Sequence, residues 1–384
     1  MTNIANVGVV GCGNIFETYL RGLRRLGSVN VAGCADLDQS RCERMAMAHD
    51  LRAYPSVAAL LDDDVIDVVV NITPPLAHAS VSLTAIQHGK HVFVEKPLAA
   101  SLAEAGPVVA AAAADEVRLG GAPDTFLASP GQTARAAVDS GLIGEPIGVM
   151  AAIPHSRAEQ WHPDPSFLFK RGGGPLLDMG PYYVAAMVNC LGAITTVAGA
   201  ARIGANPRQV TAPDRLVQSI TVEVPTHAVA VLTFASGAIG TLTASFDIWS
   251  EHLPHLEIYG SRGILRLPDP DRFDGDVTFK PNDSDSWNVV PPVVHLAGWS
   301  APGERVRGLG VADLIDSLDG GPQRTNADFA HHVLEVLESV QVASAREAVV
   351  RLQTKPARPE PVAAGDLGGL AVTSTDVTGG KERM

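Results

Sequence analysis

The chain has 384 residues, 46% of them apolar, with 42 acidic against 29 basic side chains and a formal net charge of −13. Its length exceeds what one hydrophobic core normally fills and predicts two domains. The acidic balance argues against nucleic acid and against an anionic membrane surface, both of which attract a basic face, and leaves a small-molecule partner.

Cys12, Cys34, Cys42 and Cys190 form neither a CxxC pair nor a Cys/His zinc spacing, and Met1 leads at once into a strand-like run. Both features predict a reduced, cytoplasmic protein with no metal. The longest uncharged run, Met179 to Ala201, has the length of a membrane span, but Gly180, Pro181, Asn189 and Gly192 interrupt it. It is expected to be a buried helix and its exit.

From residue 4 to about 122, short apolar runs alternate with helical patterns: Val7–Val10 then Ile15–Leu26, Val29–Ala35 then Ser40–Asp50, Ile66–Asn71 then Leu76–His88, His91–Val94 then Leu102–Ala114, and Val117–Gly120. The runs are continuous, as in strands covered on both faces, so the pattern predicts an α/β Rossmann-type doubly wound parallel sheet. This first domain spans 1–123.

Gly11 and Gly13 follow the first strand and open the first helix, where a tight turn lets a dinucleotide pyrophosphate rest on backbone N–H groups of Gly13, Asn14 and Ile15. Phe16 stands where the usual third glycine falls. Asp36, at the end of the second strand, suits the adenosine ribose hydroxyls and repels a 2′-phosphate, although a helix cap or a surface acid is its plain alternative. NAD is therefore the expected cofactor, with NADP left open by Arg41. Asn71, Thr73 and Pro74 follow another strand at the same sheet edge and are expected beside the cofactor. His78, in the next helix, either joins them or serves packing and capping.

The run Gly89 to Pro97 ends a buried-looking strand on Glu95-Lys96-Pro97. The chain holds six lysines against twenty-three arginines, so Lys96 is a candidate reactive amine, and a cis bond before Pro97 would fix its direction. Its structural alternative is an ion pair with Glu95.

A helix near Gly131–Ser140 leads into the second domain, 124–350. Strand-like segments at Ile147–Ile153, Gln218–Val224, Ala228–Phe234, Ala238–Phe246, His255–Gly260 and Gly263–Leu267 are joined by turns such as Ala235-Ser236-Gly237. They predict an α+β domain with a mainly antiparallel open sheet. His155, Trp161 and His162 form an aromatic loop suited to a sugar-like ring, with Trp161 and His162 as specificity candidates and a merely packed loop as the alternative. No carboxylate or cysteine spacing makes a metal pair of the histidines. Asn326 is the expected N-cap of a helix to about Arg346. The tail, 351–384, is expected to be extended or disordered.

Four motifs in order, Gly-x-x-Gly-x-Gly at 8–13, Asn-x-Thr-Pro-Pro-x-x-His at 71–78, Gly-Lys-His-Val-x-x-Glu-Lys-Pro at 89–97 and Gly-Gly-Gly-Pro-Leu-Leu-Asp-Met-Gly-Pro-Tyr-Tyr at 172–183, resemble the glucose-fructose oxidoreductase/inositol dehydrogenase/MocA family. The resemblance spans nearly the whole chain. It implies a Rossmann domain, a second domain whose open sheet supports homodimers or homotetramers, and oxidation of a sugar or polyol alcohol with NAD. It also implies that Lys96 sits at the nicotinamide and contacts the substrate hydroxyl, with Glu95 orienting it. An amine of ordinary pKa near 10.4 is a poor base at neutral pH, so this role asks for burial and a neighbouring positive ring.

Tyr182 departs from the resemblance, standing where the family's commonest pattern has histidine after Asp178 and Gly180. Four residues apart on a helix, Asp178 and Tyr182 share a face. Asp178 is assigned to a substrate hydroxyl, with an N-cap role as its alternative, and Tyr182 to proton relay beside Lys96. Either Tyr182 or Tyr183 is expected to be packing. Two rival readings stay open: a redox-neutral enzyme that retains NAD while eliminating, epimerising or cleaving through a transient keto sugar, and a non-catalytic NAD-binding sensor.

Overall fold

The computed structural model describes residues 4–155, 158–249, 252–296, 299 and 306–370, which separate into two units. One takes the chain up to Ser129, Val294–His331 and the stretch from Pro359; the other takes Pro130–Val293 and His332–Arg358.

The first unit begins with β1 (Ala5–Val10), α1 (Phe16–Leu23), β2 (Val29–Ala35), α2 (Gln39–His49), β3 (Arg52–Ala53), α3 (Val57–Leu61), β4 (Val68–Asn71), α4 (Pro75–Gln87), β5 (His91–Val94), α5 (Leu102–Ala114) and β6 (Leu119–Gly121). The strands form one parallel sheet in the order β3-β2-β1-β4-β5-β6. Val7, Val9 and Val68 to Val70 are 0–1% exposed, which is why these strands read as unbroken apolar runs rather than alternating ones. The strand order reverses direction at β1 and β4, and ligands of such sheets bind at the carboxyl ends of strands beside that point. Pro75 opens α4, where its missing N–H costs nothing. In this stretch β3, two residues long, and the five-residue α3 escape the sequence pattern.

After α6 (Ser129–Asp139) come β7 (Pro146–Pro154), α7 (Ala158–Trp161), α8 (Gly174–Asp178), α9 (Gly180–Leu191), β8 (Ile194–Arg202), β9 (Arg208–Gln209), β10 (Ser219–Ile220), β11 (His227–Phe234), β12 (Ile239–Ser245), β13 (Leu256–Gly260), β14 (Gly263–Leu267), β15 (Thr278–Pro281) and β16 (Asn288–Val289). Then follow α10 (Leu309–Leu318) in the first unit, α11 (Ala327–Arg346) and β17 (Val350–Arg351). The second unit's sheet runs β16-β15-β14-β13-β7-β12-β11-β8-β17. Its pairs are antiparallel except β7 with β12, which is parallel. The expected strand over 218–224 is shorter than predicted: Ser219–Ile220 pairs only with Arg208–Gln209, in a separate two-stranded ladder.

One face of the large sheet is covered by α9 and α11. Gly180 and Gly199 allow this, since a Cβ on either would lie 2.6 Å from Leu337 or 2.9 Å from Val340. Asn326 caps α11 as expected, its Oδ1 accepting from Phe329 N–H at 2.9 Å. The other face presents exposed Met150, Val229, Val231 and Ile239. The run from Met179 is α9, buried along its whole length, followed by β8, and no described helix is long and apolar enough to cross a membrane.

Three carboxylates fix the later segments of the first unit. Asp124 Oδ2 accepts from the N–H groups of Gly308 and Gly310 at 3.0 and 2.9 Å, anchoring the start of α10. Arg324, 3% exposed, pairs with Asp313 at 3.0 Å and Asp366 at 2.5 Å and donates to the carbonyls of Glu360 and Pro361. The tail as far as residue 370 is thus held by named hydrogen bonds; residues 371–384 lie outside the described ones.

Candidate active site

The turn after β1 is built for close approach. Gly11 adopts φ +103°, and a Cβ there would lie 2.9 Å from the Ile72 backbone, so only glycine fits where the turn crosses the end of β4. Around Gly13 a Cβ would meet nothing within 4 Å, and Gly13, Asn14 and Ile15 are exposed. Open backbone at the start of α1, with no side chain capping it, is the environment a pyrophosphate needs. Phe16, in place of the third glycine, is fully buried and turned toward His49 at 6.1 Å. It points inward and leaves the cradle open.

Asp36 stands at the end of β2. Its carboxylate accepts from the N–H of Cys12 at 2.7 Å and of Asp38 at 2.8 Å, with Arg41 at 3.6 Å. It caps no helix; Asp38 does that for α2, accepting from Arg41 N–H. Leu37 beside it is 98% exposed. The residues of this strand-end row fit NAD.

Asn71, fully buried, organises the loop after β4. Its Nδ2 donates to the His78 carbonyl and Ser82 Oγ, both at 3.0 Å, and its Oδ1 accepts from Thr73 Oγ1 at 2.7 Å. His78 is 1% exposed, and its two ring nitrogens lie 2.7 Å from the carbonyls of Pro97 and Thr73. Of the two roles open to it, the geometry selects packing: His78 links the Thr73-Pro74 loop to the Lys96-Pro97 turn instead of presenting a nitrogen to a ligand. Burial pushes its pKa down. Asn71 likewise shapes the loop rather than offering its amide outward.

The Lys96–Pro97 bond is cis, and Lys96 follows β5 half-buried. Glu95 beneath it is 6% exposed; its carboxylate accepts from Lys96 N–H at 2.7 Å and from Tyr19 Oη at 3.1 Å. Desolvation raises the Glu95 pKa, opposed by the charges of Lys96 and Arg307. Tyr19, Ser82 and Arg307 carry no motif and were invisible in the sequence.

In the second unit, His162 meets Trp161 and Phe167 edge-on at 5.5 and 5.4 Å, and Trp161 is 60% and Phe167 53% exposed. Asp164 N–H donates to His162 Nδ1 at 3.1 Å, which leaves the proton of the neutral ring on Nε2. The loop is held from below. Arg208 is bound by Glu159, by Asp247 at 2.5 Å, and over the Phe169 ring at 5.0 Å. Phe169, Leu168, Val210, Ala212, Ile220, Val222 and Phe246 make a satellite core there. Gly174, at φ +84°, turns the chain into α8. His155 lies 6.1 Å from Phe246; Ser156 and Arg157 of the same motif fall outside the described residues.

Asp178 and Tyr182 are not on one continuous helix, contrary to the spacing argument. Asp178 ends α8, Met179 is the junction, and Tyr182 lies in the first turn of α9. Pro181 lacks the N–H that would bond back to Leu177, which breaks the helix here. Nor does Asp178 cap α9, whose N-cap is Met179 with no side-chain bond. Both tyrosines are buried, Tyr182 at 5% and Tyr183 at 1% exposed; the Tyr183 hydroxyl lies 2.7 Å from His255 Nδ1 and 3.2 Å from Asp269, and burial drives its pKa well up.

The cysteines also depart from expectation. With no metal spacing in the sequence, Cys12, Cys34 and Cys42 nevertheless bring their sulfurs within 4.8 Å of one another.

A doubly wound sheet with an open glycine turn and a strand-end carboxylate defines an NAD-binding oxidoreductase, and sequence comparison gives the family. The chain matches the profile of the oxidoreductase family with NAD-binding Rossmann fold over residues 5–121 and that of the GFO/IDH/MocA C-terminal domain over 132–266. It belongs to the GFO/IDH/MocA oxidoreductase family. It is 28% identical over 265 residues to the dTDP-3,4-didehydro-2,6-dideoxy-alpha-D-glucose 3-reductase of Streptomyces antibioticus, covering 68% of this chain and 74% of that one. To the scyllo-inositol 2-dehydrogenase (NAD(+)) of Bacillus subtilis it is 30% identical, covering 54% and 56%. Across such relatives the aligned share of their own length ranges from 33% to 74%. Among solved structures, levoglucosan dehydrogenase with NADH and L-sorbose superposes with a TM-score of 0.77 at 18% identity over 92% of this chain and all of that one. The NAD binding oxidoreductase from Klebsiella pneumoniae gives 0.76 at 23% identity with the same coverage. At these identities the structures establish the fold.

Proposed function

We propose that this enzyme oxidises a secondary alcohol of a cyclic polyol, sugar or glycoside, or reduces the corresponding ketone. NAD supplies the hydride acceptor, the nicotinamide C4. Lys96 takes the hydroxyl proton, Glu95 orients it through the Lys96 N–H bond, and Asp178 and Tyr182 receive and position the substrate hydroxyls. The observation that carries the reading is the position of Lys96: half-buried after β5, above a buried carboxylate, in the same row of strand ends as the glycine turn and Asp36.

Three observations support the substrate class. Trp161, His162 and Phe167 form an aromatic wall of the kind on which the apolar face of a sugar ring packs. Relatives are named for inositol and for 1,5-anhydro-D-fructose, and a structural neighbour for levoglucosan. A homodimer or homotetramer joined through the open sheet face is part of the proposal. Val231, Thr241 and Met150 lie side by side there across β11, β12 and β7.

The test is NADH formation at 340 nm across pooled polyols, sugars and glycosides, with Lys96→Ala alongside. Wild-type turnover that falls about 10²- to 10⁴-fold in the variant, as loss of a general base does, while NAD affinity stays within about threefold, supports the assignment. Undiminished turnover in Lys96→Ala refutes it. No NADH with tightly retained NAD moves the enzyme to the redox-neutral route.

A further inference from the structure

Three of the four cysteines converge behind the glycine turn. Cys12 belongs to the turn itself, Cys34 lies next to the end of β2, and Cys42 occupies the first turns of α2. The sulfurs of Cys34 and Cys42 are 3.9 Å apart, and all three lie within 4.8 Å of one another. The three residues are 3%, 0% and 0% exposed and are free thiols. Polar surroundings are sparse. The carbonyl of Cys34 lies 3.3 Å from Cys42 Sγ, those of Ala35 and Tyr54 lie 3.9 Å from Cys12 and Cys42, and the Asp36 carboxylate is engaged by backbone N–H groups.

We propose that Cys12, Cys34 and Cys42 form a three-thiolate binding site for one soft d¹⁰ metal cation, with copper(I) the best-matched ion. The site is separate from the hydride chemistry and does not rest on it.

Distance, burial and donor type each bear on this. Thiolates about 2.3 Å from a shared ion stand about 4.0 Å apart in a plane and about 3.8 Å apart on a tetrahedron. The Cys34 to Cys42 separation of 3.9 Å already meets that requirement, and Cys12 needs to close by less than about 1 Å. An all-sulfur donor set selects soft cations. Coordination number then separates them. The cluster contains no histidine, aspartate or glutamate among the described residues, and burial keeps water from supplying a fourth ligand, whereas structural zinc sites are almost always four-coordinate. On binding, each thiol gives its proton to solvent as its sulfur–metal bond forms; no electron moves and the metal keeps its oxidation state. The ion would fasten the glycine turn to β2 and α2.

The full chain, reduced and free of oxygen, is titrated with copper(I) against a colorimetric copper(I) chelator, and with zinc in parallel. One copper(I) per chain is expected, with ultraviolet thiolate-to-copper absorption and with zinc held more weakly. Affinity should fall at least about tenfold in Cys34→Ser and in Cys42→Ser, since losing a direct ligand costs no less than losing a supporting one, and should be unchanged in Cys190→Ser. Far-ultraviolet circular dichroism checks that each variant folds. For a variant that does not, thiol alkylation of the wild-type protein followed by peptide mass spectrometry replaces it: copper(I) must protect Cys12, Cys34 and Cys42 together. Binding that survives both serine variants, disappears in Cys190→Ser, or gives equal labelling with and without copper overturns the site. Zinc bound more tightly than copper(I) overturns its three-coordinate character.

Discussion

Replacing Asp36 with serine is expected to shift coenzyme preference from NAD toward NADP. The wild-type carboxylate is fixed by the N–H groups of Cys12 and Asp38 at 2.7 and 2.8 Å, and its side chain is 10% exposed. A ribose 2′-hydroxyl donating to it gains roughly 1.5–3 kcal/mol, the range for hydrogen bonds to charged groups. A 2′-phosphate placed there meets a like charge at about 5 Å, which costs about 3 kcal/mol per pair of unit charges at an effective dielectric near 20. Arg41, 3.6 Å away with a side chain 44% exposed, offsets part of that repulsion, and solvent screens more. The remaining discrimination is about 3 kcal/mol, or roughly 100-fold. Asp36→Ser removes both terms, so NAD should bind about 10- to 100-fold more weakly and the NAD/NADP affinity ratio should drop about 100-fold. A serine hydroxyl reaches at most one of the two N–H groups, so Tm should also fall by roughly 2–4 °C for each kcal/mol lost. Calorimetric titration of both coenzymes into both proteins measures the ratio. Wild type binding NADP as tightly as NAD, or a ratio that moves less than twofold in the variant, refutes ribose recognition by this carboxylate.

Other perturbations test the supporting structure. Burial lowers the His78 pKa against the opposing pull of the Pro97 and Thr73 carbonyls, so around and below the ordinary value of about 6.5 the unfolded chain binds more protons than the folded one, and stability falls as pH falls. Urea unfolding at pH 7 and pH 5 should show a smaller pH-dependent loss in His78→Gln than in wild type, and equal losses contradict the assignment. Arg208→Met strands Glu159 and Asp247 below the aromatic loop; a loss of about 3–5 kcal/mol in denaturant unfolding is expected, as for other broken buried pairs, and a loss under about 1 kcal/mol would show that the clamp is dispensable. Val231→Lys puts a charge in the middle of the open sheet face, and light scattering should record a smaller species than wild type; an unchanged mass rules out that face as the subunit contact.

What the sequence disclosed depended on whether a residue's role leaves a local pattern. The parallel sheet was legible because strands buried on both faces are unbroken apolar runs, and the glycine turn because its backbone geometry excludes side chains. Residues 218–224 alternate like a strand yet pair over only Ser219–Ile220, because Ile220 and Val222 are drawn into the satellite core around Phe169. Spacing alone put Asp178 and Tyr182 on one helix; Pro181 between them decides otherwise. His78 was marked by its motif, but that both its nitrogens would meet carbonyls from two loops is a tertiary fact. Tyr19 beneath Glu95 and the three gathered cysteines leave no local signature at all, since each contact joins separate elements of the fold.

The nucleotide-binding unit is completed by chain that is made late. The outer edge of β6 is covered by residues near Asn326, through the Gly120–Asn326 bridge and the Gly121 N–H to Thr325 carbonyl bond of 2.9 Å. About two hundred residues separate the two partners, and at about 5–20 residues per second a ribosome takes on the order of 10–40 s to deliver the second. For that interval the nascent sheet has an unpaired edge, the kind of surface on which other chains can pair. Its protection during synthesis then falls to chaperones or to speed of translation, and substitutions that slow the docking of residues 324–326 should lower soluble yield even where the finished enzyme is stable.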